Sequence, residues 1–370
     1  MDCKSIYVSS NLAGAFGAIG KREFYEPNPI HNSRLYSRWE IRTLRQVFCR
    51  DLGGTSLARR RLNAVMSLHS CCTPSRPQDG ATNLEVRVEN GSSAPSFRGM
   101  VSLSGGRFLM GSEGPESWKA DGEGPVREVE IAPFWMGECA VTVGEFTCFV
   151  EATNYVTDAE KFGWSYVFHK HVSGANKSKV RGFSGDANWW IAVESASWRK
   201  PEGPGSDVKK RQNHPVVHVS YRDALAFCHW AGKSLPTEAQ WEYAARGGLT
   251  GQLYPWGNDL TPKNAKAKIE HKCNIWQGKF PDLDTGADGF QNTAPAKTYA
   301  PNAFGLYQMS GNVWEWCADW FDLGQERRVV KGGSFLCHAS YCNRYRCAAR
   351  TGNTPDSTTS HTGFRAVFNA

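Results

Sequence analysis

Two cysteines five residues apart, Cys337 and Cys342, stand in the run GGSFLCHASYCNRYRCAAR that spans Gly332–Arg350. A thiolate is both a nucleophile and a soft-metal ligand. What the chain can do therefore depends on whether the two sulfurs meet. On a helix, positions i and i+5 point about 140° apart. On a strand they fall on opposite faces. The sulfurs converge only if the backbone between them bends, and Gly332 and Gly333 just upstream permit unusual angles or a close approach. Spacing alone leaves open a structural disulfide, two unrelated thiols and a two-sulfur metal site. For a metal, copper(I) suits two soft donors better than zinc, which takes four ligands, and no CxxC partner is present here.

Three further groups could carry chemistry. Asp282, Asp284 and Asp288 precede Gly289, but from Asp284 the EF-hand positions 3 and 12 fall on Gly286 and Pro295. A solvated acidic turn and a calcium site of another kind both remain. Glu315, between Trp314 and Trp316, reads as a buried ligand or an ion-pair partner. His214 and His218 are four apart, yet Pro215 argues against a helical metal pair, so both read as satisfied core or loop histidines. No GxSxG, Walker or GxGxxG pattern is present.

Those groups need elements to hold them. The 370 residues suffice for one large domain plus an extension, or for two domains. The many Gly and Trp, 37 and 14, with few long apolar periodic runs, predict a loop-rich fold of short elements. The net charge of +7 gathers in the first 80 residues and is too mild to imply nucleic-acid binding. Twelve cysteines are many for a reduced cytosol but sparse for a small disulfide scaffold. No apolar run reaches the ~18 residues of a membrane helix, and the N-terminus carries no convincing signal peptide. We read residues 1–95 as an N-terminal extension, disordered or upstream of the true start, and residues 96–370 as the folded domain, beginning near Phe97. Alternation over Val101–Met110 and Val126–Met136 predicts strands. Helices are predicted after the N-caps Thr142, Ser220 and Thr237, each with Glu, Asp or Gln three residues on. From Gly251 the chain reads mostly as turns.

Across Val101–Phe368 the chain resembles the formylglycine-generating enzymes, or sulfatase-modifying factors. The resemblance runs through Phe108-Leu109-Met110-Gly111, Asp121-Gly122-Glu123-Gly124-Pro125, Asn213-His214-Pro215-Val216, Leu235–Ala244, Tyr254-Pro255-Trp256-Gly257, Gly311–Trp316 and Gly363-Phe364-Arg365. These mark a wider superfamily that includes iron-dependent sulfoxide synthases and non-catalytic paralogues. The segment Gly332–Arg350, followed by Asn353-Thr354-Pro355-Asp356-Ser357, is similar to the catalytic stretch of the true enzymes, whereas inactive paralogues lack the cysteine pair. Cys71-Cys72-Thr73-Pro74 with Arg76-Pro77 looks like the cysteine-containing N-terminal extension of animal members.

The resemblance implies an irregular α+β fold related to C-type lectin domains, low in regular secondary structure. It implies oxidation of the cysteine in a Cys-x-Pro-x-Arg motif of unfolded sulfatase polypeptides to Cα-formylglycine, with O2 and a thiol reductant. The runner-up is a non-catalytic paralogue that binds unfolded sulfatases; an iron sulfoxide synthase would want a histidine cluster. Copper(I) would be held by Cys337 and Cys342, with Ser334 and His338 assisting catalysis. Calcium would be held by Asn274, Ile275, Asp288 and Phe290, and a second ion by Gln308, Gly311, Val313 and Glu315. The implied setting is the endoplasmic reticulum lumen, as monomer or homodimer. Cys228 and Cys347 each match half of a family disulfide whose other half is here Ala366 or Ala245. Both should be free thiols, Cys228 inert and Cys347, after Arg346, the more reactive.

Overall fold

The computed structural model describes residues 72–76, 96–185, 187–263 and 266–369. Calls that fall on the remaining residues, including Cys71 and the basic run at 59–61, lie outside what is described. Short antiparallel pairs open the chain. The strands β1 (Met100–Leu103), β2 (Gly106–Met110), β3 (Arg127–Ile131) and β4 (Phe134–Gly137) occupy the two stretches whose alternation predicted them. Strand β2 pairs with β3, and β1 pairs with β4.

Helix α1 (Val143–Thr153) begins at a capping box in which Thr142 and Glu145 satisfy each other's backbone amides. Helix α2 (Asp158–Phe162) repeats the device with Thr157 and Glu160. A sheet that the sequence did not announce follows, β5 (Trp164–Phe168), β6 (Val180–Ser184) and β7 (Ala187–Glu194), with β7 in the middle. Helices α3 (Tyr221–Trp230) and α4 (Glu238–Arg246) start at Ser220 and Thr237 as predicted, each with a complete capping box. The α1 and α3 faces pack Phe146, Phe149 and Phe227 into the largest apolar cluster, which also contains Cys337 and Cys342.

After the two-residue pair β8 (Gly278–Lys279) and β9 (Leu283–Asp284), the reading "mostly turns" fails. Trp314–Trp320 is β10, the core of a four-stranded sheet in the order β12 (Arg350–Asn353), β11 (Arg328–Lys331), β10, β13 (Thr362–Phe364). Strand β13 pairs parallel to β10, and β14 (Val367–Asn369) returns to β4. The architecture is α+β with little regular secondary structure. Among the described residues no helix is long and apolar enough to cross a membrane.

Cys228 and Cys347 are both free and buried. Each shares an apolar cluster with the alanine at its partner position, Cys228 with Ala366 and Cys347 with Ala245. The expectation that Cys347 is the more reactive is corrected. Burial pushes both thiols up to about 12, and for Cys347 it outweighs the lowering effect of Arg246 and Lys331; Arg346 is paired with Glu123.

Cys72, Thr73 and Arg76, upstream of Phe97, are buried.

Candidate active site

Leaving β11, the chain passes through Gly332 and Gly333 at φ of 91° and 70°. A Cβ on Gly333 would lie 3.0 Å from the backbone N and Cα of Tyr345. Only a glycine lets the outgoing and returning strands of this loop come so close. Two turns then follow. Cys337 N–H donates to Ser334 O (2.9 Å), and Cys342 N–H donates to His338 O (2.8 Å). These turns supply the bend that the five-residue spacing requires. They bring the two sulfurs to 3.3 Å, unbonded. Cys337 is 2% exposed and Cys342 0%.

Two thiols in contact inside a protein do not share their proton evenly. Burial drives Cys337 well above the ordinary thiol range, and the neighbouring Cys342 sulfur reinforces this. Burial would also raise Cys342. Hydrogen bonds from Cys337 and Cys72, with the Arg344 guanidinium, outweigh it and hold Cys342 well below that range. The geometry supports this direction, since Arg344 Nη1 is 3.9 Å from the Cys342 sulfur. Of the two, Cys342 is the sulfur whose surroundings favour the ionised form, and Cys337 the one whose surroundings favour the thiol.

Arg344 is held by Asp121, whose carboxylate accepts from Nε at 2.6 Å, and its guanidinium lies 4.2 Å from the Trp118 ring centre. Next to it, Arg346 makes a two-pronged pair with Glu123 at 2.6 and 2.7 Å. The turn Asp121–Gly124 is therefore the floor under the cysteine loop.

Of the sequence-predicted residues, Ser334 is at the pair. Its N–H donates to the Cys337 sulfur at 3.4 Å, and its hydroxyl lies 4.0 Å from the same atom. His338 is half-buried, with ring Nδ1 bonded to Ser340 Oγ at 2.8 Å. The histidine that faces the small cavity above the sulfurs is His361, together with Phe168, Trp189, Trp190, Phe280 and Tyr341. Burial lowers His361 to about 4. Its neutral ring donates from Nε2 to Cys72 O at 2.8 Å and accepts from Thr359 at Nδ1. His214 and His218 are satisfied by protein partners, as read from the sequence.

Cys72 closes that cavity, leaving about 10 Å³, no more than the room one water occupies. Its sulfur accepts from Arg344 Nη1 at 3.2 Å. Thr73 Oγ1 donates to Gly352 O, Pro74 O accepts from Asn353 Nδ2, and Arg76 N–H donates to Ser357 Oγ at 2.7 Å. The Arg76 guanidinium lies between the Phe162 and Trp164 rings, 4.0 and 3.9 Å from their centres.

The positions expected to hold calcium lie close together, Glu315 at the start of β10 and the others in the loops before it. Asp288 accepts from Ile275 N–H (3.0 Å) and Phe290 N–H (3.1 Å), and Asn312 N–H donates to Asn274 O (2.8 Å). Glu315 is an ion-pair partner, bound by both Nε and Nη2 of Arg365. The three carboxylates of the acidic turn part company, Asp282 pairing with Lys279 at the surface. Among the described residues no group of three or more His, Cys, Asp or Glu side chains is arranged to hold a metal. A two-sulfur site and a site built largely from carbonyls need no such group.

Sequence reasoning missed Arg344, Asp121, His361 and Cys72. The first is two residues from Cys342, and Asp121 stood in a quoted motif without a role. Only the fold brings the others to the sulfurs.

Residues 87–370 match the family described as Sulfatase-modifying factor enzyme 1-like domain. The chain is 55% identical over 288 residues to the formylglycine-generating enzyme of Thermomonospora curvata, covering 73% of this chain and 93% of that protein. It is 44% identical over 347 residues to the formylglycine-generating enzyme of Mus musculus, covering 87% and 92%. It is also 46% identical over 275 residues to the inactive C-alpha-formylglycine-generating enzyme 2 of Bos taurus, covering 73% and 88%. Among solved structures, PvdO from Pseudomonas aeruginosa shares the fold, with a TM-score of 0.52 at 23% identity over 73% of this chain and 94% of that one.

Proposed function

The chain belongs to the sulfatase-modifying factor enzyme family, and from that premise we propose that it oxidises the cysteine of a Cys-x-Pro-x-Arg motif in unfolded sulfatase polypeptides to formylglycine. The observation that carries this reading is the buried, unbonded pair of sulfurs, Cys337 and Cys342, 3.3 Å apart beside Arg344. A protein that only bound sulfatases would need no such pair. The test is mass spectrometry of a Cys-x-Pro-x-Arg peptide incubated with the protein, copper, O2 and a thiol. Exchange of the cysteine sulfur for an aldehyde oxygen is expected. Binding of the peptide with its mass unchanged would favour the non-catalytic alternative.

The donor set fits copper(I). Two soft sulfurs converge, one in surroundings that favour its ionised form, in a pocket walled by aromatic rings. Cys337 and Cys342 would hold the ion, which when bound supplies the one-electron chemistry that O2 activation requires. The chain's own groups do the rest. The Arg344 guanidinium favours the ionised form of Cys342 and offers Nη1 to a third sulfur arriving beside it. The Ser334 amide steadies the Cys337 sulfur. Phe168, Trp189, Trp190 and Phe280 wall the cavity against water, and the neutral His361 ring, bonded to the Cys72 carbonyl, closes its remaining side.

Calcium fits on a different observation. Gln308 Oε1 is buried without a hydrogen-bond partner, and it faces a small cavity shared with Val313 and Glu315. Asp288 is buried, which raises its carboxyl above the usual range, and among the described residues no lysine or arginine pairs with it. Gln308, Gly311, Val313 and Glu315 would hold one ion; Asn274, Ile275, Asp288 and Phe290 would hold the other. A ligand that binds only the folded state stabilises it by about 2.7 kcal/mol at 100 times Kd. We expect the melting temperature to rise with added calcium and to fall on chelation, and Asp288→Asn to lose much of that response. An identical melting curve with and without chelator would remove calcium from the fold.

A further inference from the structure

Cys72–Arg76 is held as a ligand is held. A stretch that merely tied the terminus down would have no reason to push its thiol against the Cys342 sulfur and the Arg344 guanidinium. Nor would it need to place its arginine over two aromatic rings, with Nη2 donating to Trp164 O and Thr358 Oγ1, both at 3.2 Å. Burial lowers that guanidinium to about 10, and the charges of Asp356, Asp158 and Asp223 act in the opposite sense to favour its charged form. The segment presents a thiol at the first position, a buried proline held through its carbonyl at the third and an arginine at the fifth. Cys72-Thr73-Pro74-Ser75-Arg76 is thus the chain's own copy of the Cys-x-Pro-x-Arg pattern.

We propose that Cys72–Arg76 is a tethered substrate: the site binds this segment where it binds Cys-x-Pro-x-Arg peptides, and oxidises Cys72 to formylglycine. The proposal rests on the reading of the site given above. In the reaction the Cβ–S bond of Cys72 breaks and its sulfur leaves as sulfide. The Cβ becomes an aldehyde carbon carrying one oxygen atom, and the second atom of O2 leaves as water. Two molecules of a small thiol supply two electrons and two protons and end as a disulfide.

Two measurements on the full chain test it. In metal-free protein, a fluorescent peptide Ser-Thr-Pro-Ser-Arg, which cannot react, is titrated by anisotropy. An internal occupant lowers apparent affinity by the fraction of sites it leaves open. Arg76→Ala, or Pro74→Gly if the first variant melts early, should therefore tighten peptide binding by about 10-fold or more. Equal affinities would overturn occupancy by the segment. Next, the wild-type chain is incubated with copper, O2 and a thiol, digested, and position 72 read by mass spectrometry with a hydrazide trap. The expected product is an aldehyde at position 72, absent in Cys342→Ser and formed at a rate independent of protein concentration. Conversion of an external Cys-Thr-Pro-Ser-Arg peptide while Cys72 keeps its sulfur would overturn the proposal and leave the proposed function standing. Conversion of neither would overturn the reading beneath it.

Discussion

Cys342→Ser and Cys337→Ser are each expected to bring peptide conversion to background while the protein still folds. A serine hydroxyl does not ionise in this range and is a hard, poor donor for copper(I). Changing only a group that orients a metal ligand typically costs about 10–100-fold, so losing one of two ligands should cost more than about 100-fold. The fold should survive because serine is no larger than cysteine and Ser334 N–H and Arg344 remain as partners at the two positions. The check is the rate of peptide mass change beside a melting curve. A variant that folds and keeps a tenth of the wild-type rate would take the sulfur pair out of the chemistry.

The largest stability effect is expected at the pair beneath the loop. Arg346 and Glu123 are 1% and 2% exposed and joined by two short hydrogen bonds. Removing one partner leaves a buried charge without compensation, which costs about 3–5 kcal/mol. Glu123→Leu or Arg346→Met alone should lower the urea midpoint accordingly with the m-value unchanged. The double variant should recover most of the loss, because well-packed apolar groups often replace a buried pair with little net change. A single variant that loses less than about 1 kcal/mol would place this pair among those that contribute nothing measurable.

What could be read from the sequence was local. The caps at Thr142, Ser220 and Thr237 announce their helices because the box is built from residues three apart. Strand β10 escaped because Trp314, Glu315, Trp316 and Cys317 are all buried, so no period of two survives to be seen. Its parallel partner β13 lies far along the chain, where no spacing rule reaches. The same divide runs through the site. Cys337 and Cys342 stand within one loop, and their spacing already demanded a bend. The guanidinium that favours the ionised form of Cys342 is held by Asp121, 223 residues from Arg344. Glu315 showed its burial through its tryptophan neighbours but not its partner, since Arg365 meets it only after β13 has paired with β10. Cys72 was legible as a cysteine and not as an occupant, because nothing in its neighbourhood says where it docks.

The depth of that docking sets a clock. Cys72 and Thr73 are almost without exposure, and Arg76 sits between two rings at the far end of a stretch some five residues long. Extended, such a stretch spans only about 16–18 Å, so a client read this way must surrender the whole of it, backbone included. A cysteine already paired into a sheet or packed under a helix cannot be presented. Small domains commonly fold within about a second, and domains fold from the N-terminus as synthesis proceeds at about 5–20 residues per second. The encounter is thus a race between capture and the client's own collapse. If the proposed function holds, conversion must come during or just after the client's synthesis.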